Sequence, residues 1–128
     1  MPQDPQQALR HLSDRMIREG IGNYLLSGQF LRFCRDHDLS EIWGGLLRDS
    51  ADRPEVYGSD TVRNALFRLL EHIYHGRKVE FPRIFADLLA DYAKKPSDLL
   101  FVPAVKQDLI KLGYSREEVE ESFSITGG

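Results

Sequence analysis

The chain has 128 residues, 41% of them hydrophobic and 29% charged, so it is long enough for one domain with a buried core. Its net charge is −3, with 8 basic and 10 acidic residues before Ala65 and 9 and 10 from there onward. This balance does not indicate a large basic nucleic-acid-binding face, and no apolar run approaches the roughly 20 residues of a membrane span. The polar first ten residues do not resemble a signal peptide, and the single cysteine, Cys34, fits a reducing compartment. We expect a cytoplasmic protein without a membrane partner.

The first predicted helix begins at Asp4 and Pro5, a capping residue followed by one that suits a first helical turn. It ends at Gly20, because glycine adopts the backbone conformation that stops a helix. Tyr24 to Leu26 is predicted to be a short apolar link.

Two further helices are predicted before residue 50. Ser27 caps the first of them, and its predicted core face consists of Phe30, Leu31 and Cys34. The next restarts near Ser40, and its predicted core face consists of Ile42, Trp43, Leu46 and Leu47.

Residues 59–75 and 81–94 are predicted to form a hairpin of two amphipathic helices, because apolar residues recur in both at helical spacing. Pro103 opens a later helix that Gly113 ends, and Ser115 with Glu118 forms a capping box for a last one. No alternating strand pattern is present. The sequence therefore predicts an all-α fold, a single compact bundle of about seven helices around the hairpin. It spans residues 1–123, and residues 124–128 are predicted to be a flexible tail or the start of a linker.

Arg32 and His37, at the end of a predicted helix, resemble the catalytic signature of HEPN-type ribonucleases. The resemblance implies a metal-independent RNase or toxin in which His37 transfers protons and Arg32 holds the phosphate. Five helical residues turn the two side chains about 140° apart, so a shared site requires a dimer or an irregular turn. Arg68 and His75 form a second pair of this kind on one helix face.

Residues 108–123 resemble the first two helices of a ubiquitin-associated (UBA) domain. The resemblance implies a ubiquitin- or peptide-binding loop at Leu112-Gly113-Tyr114. The alternative is a helix stop followed by a capped helix, with Tyr114 packed back on the preceding turn. The segment from Leu12 to Leu47 resembles helical N-terminal domains of bacterial abortive-infection (AbiJ-like) proteins, which implies a sensor or partner domain in phage defence.

Two clusters of polar residues are candidate ligand sites. Glu71, His72 and His75 have a spacing that a divalent metal can use, with a solvated ion-pair face as the alternative. A second cluster in and after the hairpin turn is a candidate anion site, with solvated surface as its alternative; it consists of Arg77, Lys78 and Arg83.

No catalytic or nucleotide motif stands out, so no cofactor is expected. The leading hypothesis is a non-catalytic interaction or regulatory module that binds another protein or another domain of a longer chain. Nucleic acid is not the expected partner, and a homodimer is compatible with the sequence. The candidate partner-binding aromatic residues are Tyr57, Tyr114 and Trp43.

Overall fold

The computed structural model describes residues 4–52, 61–93 and 99–127, and within these ranges it contains eight helices and no strand. This confirms the all-α prediction. The helices are α1 (Pro5–Arg18), α2 (Gly22–Leu25), α3 (Gly28–Asp36), α4 (Ser40–Asp52), α5 (Thr61–Gly76), α6 (Phe81–Tyr92), α7 (Val102–Lys111) and α8 (Arg116–Gly127). The short helix α2 occupies the segment predicted as an apolar link. None of the described helices is long and apolar enough to cross a bilayer.

Side-chain caps begin three of the helices at the predicted residues. The Asp4 carboxylate accepts a backbone N–H bond of 3.2 Å at the start of α1, and the Ser27 hydroxyl accepts one of 3.4 Å at the start of α3. Ser115 and Glu118 exchange bonds of 3.1 and 3.5 Å before α8, as the capping box predicts. α8 extends to Gly127, beyond Ser124, where the predicted tail begins.

Three helices end in the same way, on a residue with positive φ followed by a buried apolar residue. The positive-φ residues are Gly20 (93°), Asp38 (60°) and Gly113 (116°). The residues that follow them are Ile21, Leu39 and Tyr114, all buried. The backbone N–H of each bonds back across the last helical turn, at 3.2, 2.6 and 3.4 Å. These Schellman motifs satisfy the last helical carbonyls and draw the following residue into the core. Gly20 and Gly113 end helices as predicted.

The two helices of the predicted hairpin pack mainly on different neighbours. α5 lies against α1 and α4, whereas α6 lies against α8 and α3. The two helices meet through the rings of Tyr74 and Phe81, whose centroids are 5.8 Å apart. One continuous core connects both groups. α3 therefore lies at the edge of the bundle, with one face on α6 and the opposite face in solvent.

Candidate functional site

The inner face of α3 is apolar and fully packed. Phe30 stacks on Phe33 and meets the Trp43 ring edge-on, with centroids 5.7 and 5.1 Å apart. Cys34 completes this face, and its burial raises the pKa of its thiol to about 12. The prediction that Leu31 belongs to this face is wrong: Leu31 is 48% exposed, and Phe33 takes the core position. Positions 30, 33 and 34 share one helical face, and position 31 points away from it.

The opposite face of α3 combines exposed leucines with exposed arginines. Leu26 is 59% exposed, and it occupies the position before the cap that neighbours Leu31 at a helix start. Arg32 and Arg35 are exposed, and neither forms an ion pair with a described residue. A side chain added at Gly28, on the same stripe, would meet no atom within 4 Å. We call Leu26, Gly28, Leu31, Arg32 and Arg35 the α3 outer surface.

The structure does not bring Arg32 and His37 into contact. His37 caps the end of α3, turns toward α6 and places its Nε2 3.8 Å from the Asp87 carboxylate. Its ring lies 4.4 Å from the ring of Phe33, whereas Arg32 extends from the outer surface. No hydrogen bond or ion pair in the described part of the chain joins the two proposed catalytic side chains. The ribonuclease prediction remains untested.

Two of the three predicted anion-binding cations already have partners. Arg77 donates from Nη1 to the backbone carbonyl of His37 at 2.7 Å, which ties the α5–α6 turn to the end of α3. Arg83 lies 3.4 Å from Asp87, one turn further along α6. The Lys78 ammonium stands 5.1 Å above the centroid of the Tyr74 ring. The Arg77 bond therefore joins the turn to the end of α3, and the anion site stays a prediction.

The predicted metal ligands Glu71, His72 and His75 do not form a metal site among the residues described. No group of three potential ligands comes together in residues 4–52, 61–93 and 99–127. Glu71 instead accepts a 2.9 Å hydrogen bond from the Gln6 side chain and lies 3.5 Å from Arg68. This arrangement matches the alternative of a solvated ion-pair face.

Two of the predicted partner-binding aromatic residues belong to the core. Trp43 is fully buried, and Tyr114 is 8% exposed, with its ring stacked on Phe81. The Tyr114 hydroxyl donates to the backbone carbonyl of Lys78, and burial raises the pKa of this phenol. A partner reaches neither ring in this conformation, so the Leu112-Gly113-Tyr114 loop acts here as a helix stop with a buried anchor. Tyr57 lies outside the described residues.

The α3 outer surface therefore contains functional candidates that the sequence analysis missed. The available signal was the pair Leu26 and Leu31, which flank the Ser27 cap at the spacing of a hydrophobic staple. Two arginines follow on the same stripe, at positions 32 and 35. Recognising this pattern would have separated Leu31 from the core residues on the other side of the helix.

The AbiJ-like and UBA resemblances remain predictions, as do the interaction, defence and bacterial roles that they imply. The chain has neither a matching family nor a matching fold to decide among them. No protein-family model, no curated protein and no solved structure matches this sequence.

Proposed function

We propose that this chain is a non-catalytic interaction module whose α3 outer surface binds an acidic amphipathic helix of another protein or domain. The observation that carries the proposal is the exposure of Leu26 and Leu31 beside Arg32 and Arg35, which have no acidic partner among the described residues. An exposed apolar patch rimmed by charge is typical of an interaction site.

Each feature of the surface selects a property of the partner. The leucines favour apolar side chains at helical spacing, since fully burying one leucine contributes about 1.5–3 kcal/mol. Arg32 and Arg35 favour carboxylates, which a guanidinium binds through two parallel N–H bonds. The bare backbone at Gly28 leaves room for a helix to approach closely.

The same charges argue against a second copy of the chain as the partner. A two-fold contact across this surface brings Arg32 and Arg35 close to the same arginines of the other copy. Like charges brought together at an interface oppose binding. The surface is therefore better suited to a heterologous partner.

A labelled peptide of leucine and glutamate with helical amphipathic spacing provides a direct test by fluorescence anisotropy. We expect saturable binding that a scrambled peptide and a leucine–lysine peptide do not reproduce. Arg32→Glu should weaken binding about tenfold or more, because a charge-assisted bond becomes a repulsion. Arg48→Glu, the same charge change at an exposed position of α4, is the matched control and should leave the affinity unchanged.

Equal binding of all three peptides, or equal loss in both variants, would overturn the proposal. A labelled RNA incubated with the same protein tests the ribonuclease alternative. RNA cleavage that disappears in His37→Ala would also overturn it, because the module is proposed to be non-catalytic.

A further inference from the structure

A groove of about 310 Å³ lies between the start of α6 and α8, and neither helix belongs to the α3 outer surface. It is lined by Val79, Pro82 and Arg83 on one side and by Glu118, Glu121 and Ser122 on the other. The α8 residues stand at positions i, i+3 and i+4, so their side chains follow one stripe of that helix. The volume is at the lower end of the range for ligand sites, so the groove admits side chains of an extended segment and not a helix about 10 Å across.

Val79 forms an apolar wall of this groove that the fold leaves in water. It is 90% exposed, in the turn between α5 and α6. A single exposed apolar side chain is ordinary at a protein surface. Val79 differs because, together with the buried Pro82, it lines a concave site in which an incoming side chain can cover it.

The two walls of the groove are held in place by core contacts. The Tyr114 hydroxyl donates to the backbone carbonyl of Lys78 in the turn, and the Tyr114 ring stacks on Phe81 with the centroids 6.2 Å apart. Val119 and Phe123, on the inner face of α8, are buried in the core. A preformed site loses little conformational freedom when a ligand binds.

The groove carries an excess of negative charge. Glu118 and Glu121 are exposed, and Arg83 is the one cation among the described residues that line it. Arg83 lies 3.4 Å from Asp87, so its charge is balanced within α6. Glu118 accepts one 3.5 Å bond from the backbone of Ser115, and the Glu121 carboxylate has no ion pair or hydrogen bond with a described residue. Both carboxylates are therefore accessible to an incoming cation.

We infer that this groove binds an arginine-containing extended segment of another protein. The aliphatic stem of the arginine packs on Val79 and Pro82, and its guanidinium group meets the carboxylates of Glu118 and Glu121. Arginine fits better than lysine because its planar fork bonds two carboxylate oxygens at once. A leucine–lysine helix is too wide for the groove. The groove and the α3 outer surface lie on different helices, so the two sites are independent of each other.

A short labelled peptide of alternating arginine and alanine tests this site by fluorescence anisotropy. We expect saturable binding, about fivefold weaker binding when lysine replaces arginine, and none when glutamate replaces it. Glu121→Lys should weaken binding of the arginine peptide about tenfold or more, because an attraction becomes a repulsion. Glu19→Lys, the same charge change at an exposed position after α1, is the matched control and should leave the affinity unchanged.

Val79→Ala separates the role of the apolar wall from that of charge. It should weaken binding of the arginine peptide about fivefold, whereas Leu100→Ala, at a residue that is 96% exposed outside the groove, should leave it unchanged. Arg32→Glu, which alters the α3 outer surface, should not weaken binding of this peptide. The melting temperature of each variant, measured without peptide, shows that the fold is retained.

Three results would overturn this site: no saturable binding, equal affinities for the arginine and lysine peptides, or equal effects within either pair of matched variants. Sedimentation velocity tests a second copy of the chain as the occupant. Concentration-dependent self-association that Glu121→Lys abolishes would also overturn the inference, because the groove would then hold another copy of this chain.

Discussion

The two faces of α3 differ in everything except the helix they share. The inner face contains Phe30, Phe33 and Cys34, which are 0–5% exposed. The outer face presents Leu31 at 48% exposure beside two arginines without acidic partners in the described ranges. The difference teaches that large apolar side chains alone do not identify a binding surface, because most of those in this chain stabilise the core.

The largest expected difference between the two faces of α3 is in the rate at which a cysteine on each face reacts. Cys34 should react with an aromatic disulfide reagent about a thousandfold more slowly than a cysteine placed at position 31 in the Leu31→Cys/Cys34→Ala variant. Burial both blocks access to Cys34 and raises its pKa to about 12, which removes the reactive thiolate near neutral pH. The rates are measured by absorbance at pH 8. Similar rates would contradict the assignment of the two faces.

The next largest contrast is expected in the loss of stability when one side chain on each face is truncated to alanine. Phe30→Ala should lower the free energy of unfolding by about 3–5 kcal/mol, since it removes a ring packed on Phe33 and Trp43. Leu31→Ala should cost no more than about 0.5 kcal/mol, because the side chain is half exposed and contributes mainly to the start of the helix. Urea denaturation measures both. A cost above about 2 kcal/mol for Leu31→Ala would place that side chain in the core.

Alkaline pH should weaken the inner face of α3 through the buried Cys34 thiol. The unfolded chain begins to release the Cys34 proton near its ordinary pKa of about 8.5, while the folded chain keeps it up to about pH 12. Stability should therefore be unaffected below about pH 8.5 and fall progressively as the pH rises toward 12. Urea midpoints at pH 8 to 11 measure the decline. In Cys34→Ala the decline should be shallower, and an identical slope in both proteins would rule out this cause.

A smaller effect on stability is expected from substitutions at Asp38, the residue of positive φ that follows the end of α3. Asp38 has a φ of 60°, a conformation that β-branched residues avoid and glycine adopts freely. Asp38→Val should destabilise the protein by about 1–2 kcal/mol, and Asp38→Gly should stabilise it by about 0.5 kcal/mol. The two changes are compared by urea midpoint. Effects of the same sign would contradict the Schellman geometry at this position.

Local chemistry made much of the fold predictable from the sequence. Caps such as Asp4 and Ser27, and the helix stops at Gly20 and Gly113, depend on residues within one turn of the position concerned. Asp38 was missed as a stop because glycine and asparagine are the usual residues at that position. The four residues of α2 are too few to show a periodicity.

The candidate site depends more on contacts between distant residues. The burial of Tyr114 results from packing on Tyr74 and Phe81, more than 30 positions earlier, and His37 meets Asp87 across 50 positions. No local pattern reports these contacts. The nine residues of α3 contain two overlapping apolar sets, and the packing of the helix against α4 and α6 leaves Leu31 facing outward.

The most direct test of the proposed interaction surface is the affinity of the leucine–glutamate peptide for Leu31→Ala compared with Leu100→Ala. Both variants truncate an exposed leucine, since Leu100 is 96% exposed, but only Leu31 belongs to the α3 outer surface. We predict that Leu31→Ala weakens binding about tenfold and that Leu100→Ala leaves it unchanged. Equal affinities for the two variants would contradict the assignment of the α3 outer surface as the interaction site.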